Sequence, residues 1–213
     1  MALVQAGLLD LDCDVNSLLK SWHVPENEFT QQEKVTLRRL LSHNVGLTVH
    51  GFRGYALGED VPTIQQVLLG QPTANSEPVV VNVLPGSIWR YSGGGTTVAQ
   101  LSMMEATGLS YAGLMQRYVL QPAGMSRSTY EQSLSMQRRA EAAIAHNPTS
   151  KAFAGKCHTY PEQAAAGLWM TPEDLYRYII ELQKSWHGQS NKILSTEYTR
   201  QMLQIQFKNY CKG

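Results

Sequence analysis

Signals that start α-helices recur along this chain and constrain its fold more than any other feature. The clearest lies at residues 171–174, Thr-Pro-Glu-Asp, which combine a capping hydroxyl, a proline at the first helical position and two acidic side chains in the first turn. Thr36, Thr63 and Ser195 are predicted to begin further helices. After Pro172, apolar residues recur at helical spacing and predict a buried face made of Leu175, Tyr178, Ile179, Leu182 and Trp186.

Other segments predict shorter elements. Val15, Leu18, Leu19 and Trp22 share the spacing of one helical stripe, which predicts a short helix closed by Pro25. Gly46 is predicted to end the helix that begins after Thr36, because glycine adopts the left-handed conformation at low cost. Residues 79–81, three consecutive valines, predict a short strand or an extended segment. Together these signals predict a mostly α chain.

Composition bounds the kind of partner. The chain has 213 residues, 43% of them hydrophobic and 16% charged, which suits one domain with a sizeable core. A formal net charge of +1, with scattered basic residues, predicts no nucleic-acid partner and no membrane-surface partner. The three cysteines form no Cys-x-x-Cys pair, so neither a disulfide framework nor a zinc knuckle is predicted. We therefore expect a small-molecule or peptide substrate, and the sequence indicates no compartment.

The segment with the most chemical interest is residues 85–95, which read Pro-Gly-Ser-Ile-Trp-Arg-Tyr-Ser-Gly-Gly-Gly. Tyr91 follows a predicted turn, and three glycines lie between it and the next predicted helix. One interpretation is a glycine-rich connector with a packed tyrosine; the other is a ligand site that the backbone can approach closely. The segment alone leaves both interpretations open.

Three segments in order resemble one protein family. Residues 37–47, residues 85–95 and residues 167–175 are similar to the phrasing of class C β-lactamases, D-alanyl-D-alanine peptidases and family VIII esterases. Residues 7–15 and 121–125 match the same family, so the resemblance covers nearly the whole chain. It implies a serine hydrolase that acylates a serine with an ester, peptide or β-lactam and then transfers the acyl group to water.

The resemblance also implies roles for single residues. In that family a Ser-x-x-Lys element, a Tyr-x-Asn element and a Lys/His-x-Gly strand form the active site, and no cofactor is used. Tyr91 matches the tyrosine of the second element and is the predicted catalytic residue, with Ser92, Gly93, Ala166 and Gly167 predicted to bind substrate. Gly93 stands where many relatives carry asparagine, which is more similar to the esterase and peptidase branches.

Ser17-Leu18-Leu19-Lys20 fits Ser-x-x-Lys, but the fit is interpreted as accidental. The predicted helix is too short, and both side chains lie off its apolar stripe. In the family a Gly-x-Leu-x-Leu-Asp phrase follows the nucleophile's helix, and here that phrase occupies residues 7–12. The nucleophile is therefore expected before Met1, and the Lys/His-x-Gly strand after Gly213.

Taken together, residues 1–213 are predicted to form a single partial domain: the helical lobe of a β-lactamase/transpeptidase-like fold, with a few short strands and most of the sheet missing. Such a fragment is expected to be inactive as given. The alternative is a non-catalytic helical module that binds a ligand or oligomerises, with a homo-oligomer covering the face that the sheet would occupy. His43, His50 and His158 are interpreted as structural or surface residues, and no metal site is predicted.

Overall fold

The computed structural model describes residues 1–207 and is mostly helical. Within those residues the α-helices are α1 Ala2–Gln5, α2 Glu28–Gln32, α3 Leu37–Leu41, α4 Ile64–Leu69, α5 Gly93–Thr107, α6 Tyr111–Met115, α7 Met136–Glu141, α8 Gln163–Ala166, α9 Pro172–Trp186 and α10 Thr196–Leu203. A 3-10 turn at Val15–Ser17 and a π turn at Gln116–Leu120 complete the helical elements. The mostly α prediction is confirmed.

Hydroxyl caps begin four of these helices where the sequence predicted them. Thr36, Thr63, Thr171 and Ser195 each accept a hydrogen bond from a backbone N–H in the first turn. Each cap binds one of the N–H groups that a helix start leaves without an intrahelical partner. The local sequence therefore decides where these helices begin.

Helix α5 lies in the middle of the hydrophobic core. It packs against α3, α4, α6 and α8, and more than half of its residues are buried. Val98 and Leu101 contribute to one core cluster together with Leu40, Leu47 and Val79. Because Tyr91 immediately precedes α5, this rigid helix fixes the position of the tyrosine segment.

Extended chain contributes isolated bridges rather than a sheet among residues 1–207. Val81 pairs with Leu47 and Thr159 pairs with Tyr55 in single antiparallel bridges. The predicted strand at residues 79–81 is thus reduced to one bridge, and the Val79 N–H donates to the carbonyl oxygen of Leu68 in α4 rather than to a second strand.

The predicted role of Gly46 is wrong. Helix α3 ends at Leu41 with Ser42 as its C-cap, and Gly46 lies further along the loop with a φ of 75°. A Cβ atom at Gly46 would lie 2.3 Å from the carbonyl oxygen of Val83. The glycine is needed where two loops cross closely, which the sequence around it does not reveal.

The first predicted helix is also shorter than expected. Val15, Leu19 and Trp22 are buried as predicted, but the helical geometry covers only Val15–Ser17. The Asn16 side chain bonds both the N–H and the carbonyl oxygen of Val24. This loop closure competes with helix continuation, as short amide side chains commonly do.

The buried face predicted for α9 is a further error. Leu175, Ile179 and Trp186 are 36%, 44% and 39% exposed, whereas Asp174 and Ser185 on the same helix are buried. The apolar spacing correctly predicts a helix, but within residues 1–207 the stripe is only partly covered, with Tyr178 and Leu182 half-buried. No helix among these residues is long and apolar enough to cross a membrane.

Candidate active site

Tyr91 lies on the surface immediately before the first turn of α5. Tyr91 is 42% exposed and therefore does not lie deep in the core. Ser92, the next residue, is the N-cap of α5, and its hydroxyl accepts a hydrogen bond from the Gly95 N–H. Tyr91 is therefore held one residue from a fixed point of the fold.

Two imidazole rings flank the phenol ring. The ring centroids of His43 and Tyr91 are 4.5 Å apart, and those of His50 and Tyr91 are 4.9 Å apart. The edge of Trp89 also meets His43, at 6.1 Å between centroids. Such separations are typical of rings in direct contact. Tyr91 is therefore surrounded by rings that contribute polar nitrogen atoms as well as apolar surface.

His43 fixes the backbone on both sides of Tyr91. Its carbonyl oxygen accepts a 2.7 Å hydrogen bond from the Arg90 N–H, and its Nδ1 accepts a 3.4 Å bond from the Ser92 N–H. Its backbone has a φ of 56°, which is uncommon outside glycine. Burial lowers the pKa of His43. Together with the accepting role of Nδ1, this lowered pKa favours a neutral ring with its proton on Nε2.

The sequence did not reveal that His43 and His50 contact Tyr91. Both were interpreted as structural or surface residues, because their spacing matches no metal-binding pattern. The contact joins segments far apart in the chain, so only the fold shows it. The one signal that pointed toward it is the place of His43 inside residues 37–47, which carry part of the family resemblance.

The glycines after Tyr91 allow the segment 48–51 to pack closely against the start of α5. The Gly93 N–H donates to the His50 carbonyl oxygen, and a Cβ atom at Gly93 would lie 3.1 Å from that oxygen. A Cβ atom at Gly94 would lie 3.0 Å from the Thr48 carbonyl oxygen. The Ser92 hydroxyl is buried and donates to the same Thr48 oxygen at 2.8 Å. Ser92, Gly93 and Gly94 thus pack the 48–51 segment onto α5, and the substrate-binding roles of Ser92 and Gly93 remain predictions.

Ala166 and Gly167 lie at the end of α8, which packs against α5. Ala166 is exposed, whereas Gly167 is buried and its carbonyl oxygen accepts a hydrogen bond from the Gln132 side chain. A Cβ atom at Gly167 would lie 2.6 Å from the Gln163 Cα atom, so the turn requires glycine. Their predicted role in binding substrate stays a prediction.

A buried carboxyl group lies at the start of α8. Glu162 is fully buried, and neither of its side-chain oxygens has a hydrogen-bond partner among residues 1–207. Burial raises its pKa to about 7, because the charged form loses its hydration. Nearby, Gln100 of α5 holds the same loop by donating to the Pro161 carbonyl oxygen. The sequence missed Glu162, since a glutamate next to a proline carries no signal of burial.

Ser17 and Lys20 have separate partners. The Ser17 hydroxyl donates to the Asp14 carbonyl oxygen at 2.6 Å, and the Lys20 ammonium donates to the Glu105 carbonyl oxygen at 3.2 Å. Both residues are exposed, as expected for positions outside the buried stripe. Neither bond pairs a serine nucleophile with a lysine base. Among residues 1–207, no group of three or more histidine, cysteine or acidic side chains is placed to hold a metal ion.

Comparison with known proteins identifies the family. A family model described as beta-lactamase matches residues 1–209, so the chain belongs to the beta-lactamase family. No curated protein matches the chain.

Solved structures share the fold at low sequence identity. The penicillin-binding protein from Bacillus halodurans is 20% identical, with a TM-score of 0.68 over 95% of this chain and 58% of that one. A D-stereospecific amidohydrolase from Streptomyces sp. is 18% identical, with a TM-score of 0.68 over 97% of this chain and 62% of that one. The octameric penicillin-binding protein homologue from Pyrococcus abyssi is 20% identical, with a TM-score of 0.66 over all of this chain and 47% of that one. The chain thus spans between about half and three-fifths of the length of these structures.

Proposed function

We propose that this chain is the helical lobe of a serine hydrolase that transfers an acyl group from an ester, amide or β-lactam to a serine and then to water. Tyr91 is the residue of this lobe that handles the proton of that serine. The exposed phenol, fixed between two imidazoles at the start of the central helix, carries the proposal. Family membership supports the reaction class.

A phenol that handles protons in catalysis needs a fixed position and a polar surrounding. The hydrogen bonds of His43 to Arg90 and Ser92 supply the first requirement. The ring nitrogens of His43 and His50 contribute to the second. By the family resemblance we assign Ser92, Gly93, Ala166 and Gly167 to the wall along which substrate binds; of these, Ala166 is the exposed residue.

In this proposal the nucleophile and its lysine come from a segment outside residues 1–213, as does the Lys/His-x-Gly strand. The separate hydrogen bonds of Ser17 and Lys20 support this assignment. Residues 1–213 are then one part of the domain, and we expect the chain by itself to be inactive.

Co-expression with the missing segments of a close relative tests the proposal. Hydrolysis of nitrocefin or of a p-nitrophenyl ester should be absent with the chain alone and should appear with the added segments. Tyr91→Phe should then lower the rate about 100-fold or more, the usual contribution of a positioned proton-transfer group. Tyr176→Phe is the matched control, because Tyr176 is a more exposed tyrosine on α9.

Two results would contradict the assignment. A reconstituted protein that keeps its rate after Tyr91→Phe would remove the role given to Tyr91. A chain that hydrolyses the ester alone, and loses this activity on Ser17→Ala, would show that the nucleophile lies at Ser17.

A non-catalytic module that self-associates is the second candidate function. The observation that favours it is the exposed apolar stripe of α9, which continues onto Leu203 of α10. Contiguous apolar surfaces of this kind commonly mark interfaces. The Pyrococcus abyssi homologue is described as octameric, which agrees with assembly within this fold. Light scattering of the purified chain at micromolar concentration tests the candidate, and a stable monomer would reject it.

A further inference from the structure

Four aromatic rings form a continuous strip at the proposed active site. Trp89 contacts His43, His43 contacts Tyr91, and Tyr91 contacts His50, with 6.1, 4.5 and 4.9 Å between successive ring centroids. Trp89 and Tyr91 are 38% and 42% exposed, and His50 is exposed as well. We call these four residues the aromatic strip. It presents ring faces and edges to solvent directly beside the phenol.

We propose that the aromatic strip binds an uncharged, apolar part of the substrate, namely the acyl or aryl group of a neutral ester or amide. The inference rests on the proposed function of Tyr91 and adds the chemical class of the group that packs there. Aromatic rings offer apolar area and favourable ring contacts to such a group. A carboxylate placed there would instead lose its hydration and would need a cationic or hydrogen-bonding partner in return.

The guanidinium of the residue between Trp89 and Tyr91 is bonded to the loop rather than to the strip. Arg90 lies between Trp89 and Tyr91 in the chain, yet its guanidinium donates to the Gly46 carbonyl oxygen at 2.6 Å and to the Asn82 side chain. These bonds hold its charge against the loop beneath the segment. Arg90 therefore does not offer a carboxylate partner to a ligand on the strip.

The central imidazole also remains uncharged near neutral pH. The Nδ1 atom of His43 is occupied by the Ser92 N–H, and burial lowers the pKa of the ring. Protonation of Nδ1 would break that hydrogen bond. The middle of the strip is therefore uncharged, which suits an uncharged ligand.

Binding of two matched ligands to the full chain tests this inference without any catalytic step. N-methylbenzamide and benzoate have the same ring and similar size, but only benzoate is charged. Titrations followed by the indole N–H resonances of the tryptophans should be done at about pH 8, above the ordinary pKa of imidazole. We expect saturable binding of the amide and at least about tenfold weaker binding of benzoate, because the bare carboxylate gains no partner.

Variants at two tryptophans locate the binding surface. Trp89→Ala should weaken amide binding by roughly threefold to tenfold, the range for one aromatic contact. Trp186→Ala is the matched control, since Trp186 is 39% exposed but lies on α9, and it should leave binding unchanged. If Trp89→Ala disturbs folding, Trp89→Leu takes its place. This variant keeps an apolar side chain, so its affinity for the amide should lie between those of Trp89→Ala and the unmodified chain.

Three results would overturn the inference: equal affinity for both ligands, no saturable binding of either, or a loss that follows Trp186 rather than Trp89. These outcomes are separate from the fate of the proposed function. If the chain binds the amide but the reconstituted enzyme keeps its rate after Tyr91→Phe, only the proton-transfer role of Tyr91 is rejected. If hydrolysis depends on Tyr91 but the chain does not bind the amide selectively, only the ligand-binding role of the aromatic strip is rejected.

Discussion

Helices α5 and α9 have the same length, 15 residues, and opposite relations to solvent. Helix α5 is surrounded by other helices, and even its polar residues Thr97, Gln100 and Ser102 are buried. Helix α9 has only three buried residues, all of them polar, and exposes most of its apolar stripe. The two helices are therefore attached to the fold by different kinds of interaction.

Apolar packing holds α5, whereas polar contacts with loops hold α9. The Asp174 carboxylate accepts hydrogen bonds from the Arg127 N–H and the Ser128 hydroxyl, and the Ser185 hydroxyl donates to the Leu194 carbonyl oxygen. Within α5, Thr97 and Ser102 donate to carbonyl oxygens of their own helix, so they need no outside partner. Most of the packing free energy therefore lies around α5, and the apolar surface of α9 is available for contact.

The largest expected effect comes from the α5 core. Leu101→Ala should lower the free energy of unfolding by about 3 kcal/mol, since Leu101 is 2% exposed and its removal leaves a cavity. Leu175→Ala on α9 is the control and should cost about 0.5 kcal/mol or less. Urea denaturation of both variants measures the difference. Equal losses would mean that α9 is as tightly packed as α5.

The buried carboxyl beside α5 predicts a stability that depends on pH. The pKa of Glu162 is raised from 4.5 to about 7 in the folded chain. Its stabilising contribution is complete below pH 4.5, declines as the unfolded chain loses the proton first, and is lost by about pH 7. The total change should reach about 3 kcal/mol.

Glu162→Gln should flatten that part of the pH profile, because the amide does not titrate. Denaturant titrations at several pH values measure it. Glu197→Gln, at an exposed position on α10, should leave the profile as it is. A Glu162→Gln profile identical to that of the unmodified chain would show that the carboxyl finds a partner when ionised.

Removing the N-cap hydroxyls of α5 and α9 should give a smaller difference in the free energy of unfolding. Ser92→Ala should cost about 2 kcal/mol, because the buried hydroxyl caps α5 and also donates to the Thr48 carbonyl oxygen. Thr171→Ala should cost about 1 kcal/mol, since that hydroxyl supplies only the cap of α9. Thermal unfolding of the two variants ranks them, and the reverse order would contradict the assignment of the stronger anchor to α5.

Local signals in the sequence predicted the helices well, because caps act within one turn. Thr171, with Pro172 behind it, and Ser195 both begin helices where expected. The same signals cannot say what covers a helix, so the stripe through Ile179 was assigned to the core although it is exposed. Periodicity predicts which residues share a face, and only the rest of the fold decides whether that face is buried.

The candidate site was predictable only in part, for the same reason. The family resemblance predicted a catalytic role for Tyr91, which stays a prediction, and the structure places this residue on the surface. The contacts of Tyr91 with His43 and His50 join distant segments, and no local pattern encodes them. The burial of Glu162 likewise depends on how a loop packs against α5.

The smallest effect on stability, with the largest effect on assembly, is expected on the α9 stripe. Ile179→Lys should change the free energy of unfolding by about 0.5 kcal/mol or less. Ile179 is 44% exposed, so folding buries only part of its apolar surface. If two copies cover this stripe, however, the lysine places a charge in an apolar contact and should favour the monomer. Light scattering over a range of concentrations compares the variant with Ile144→Lys, which adds the same charge at a 48% exposed isoleucine outside α9. Dissociation by Ile179→Lys alone would locate the interface on α9; dissociation by both variants would indicate a general charge effect, and a monomeric unmodified chain would mean that the stripe remains open to water.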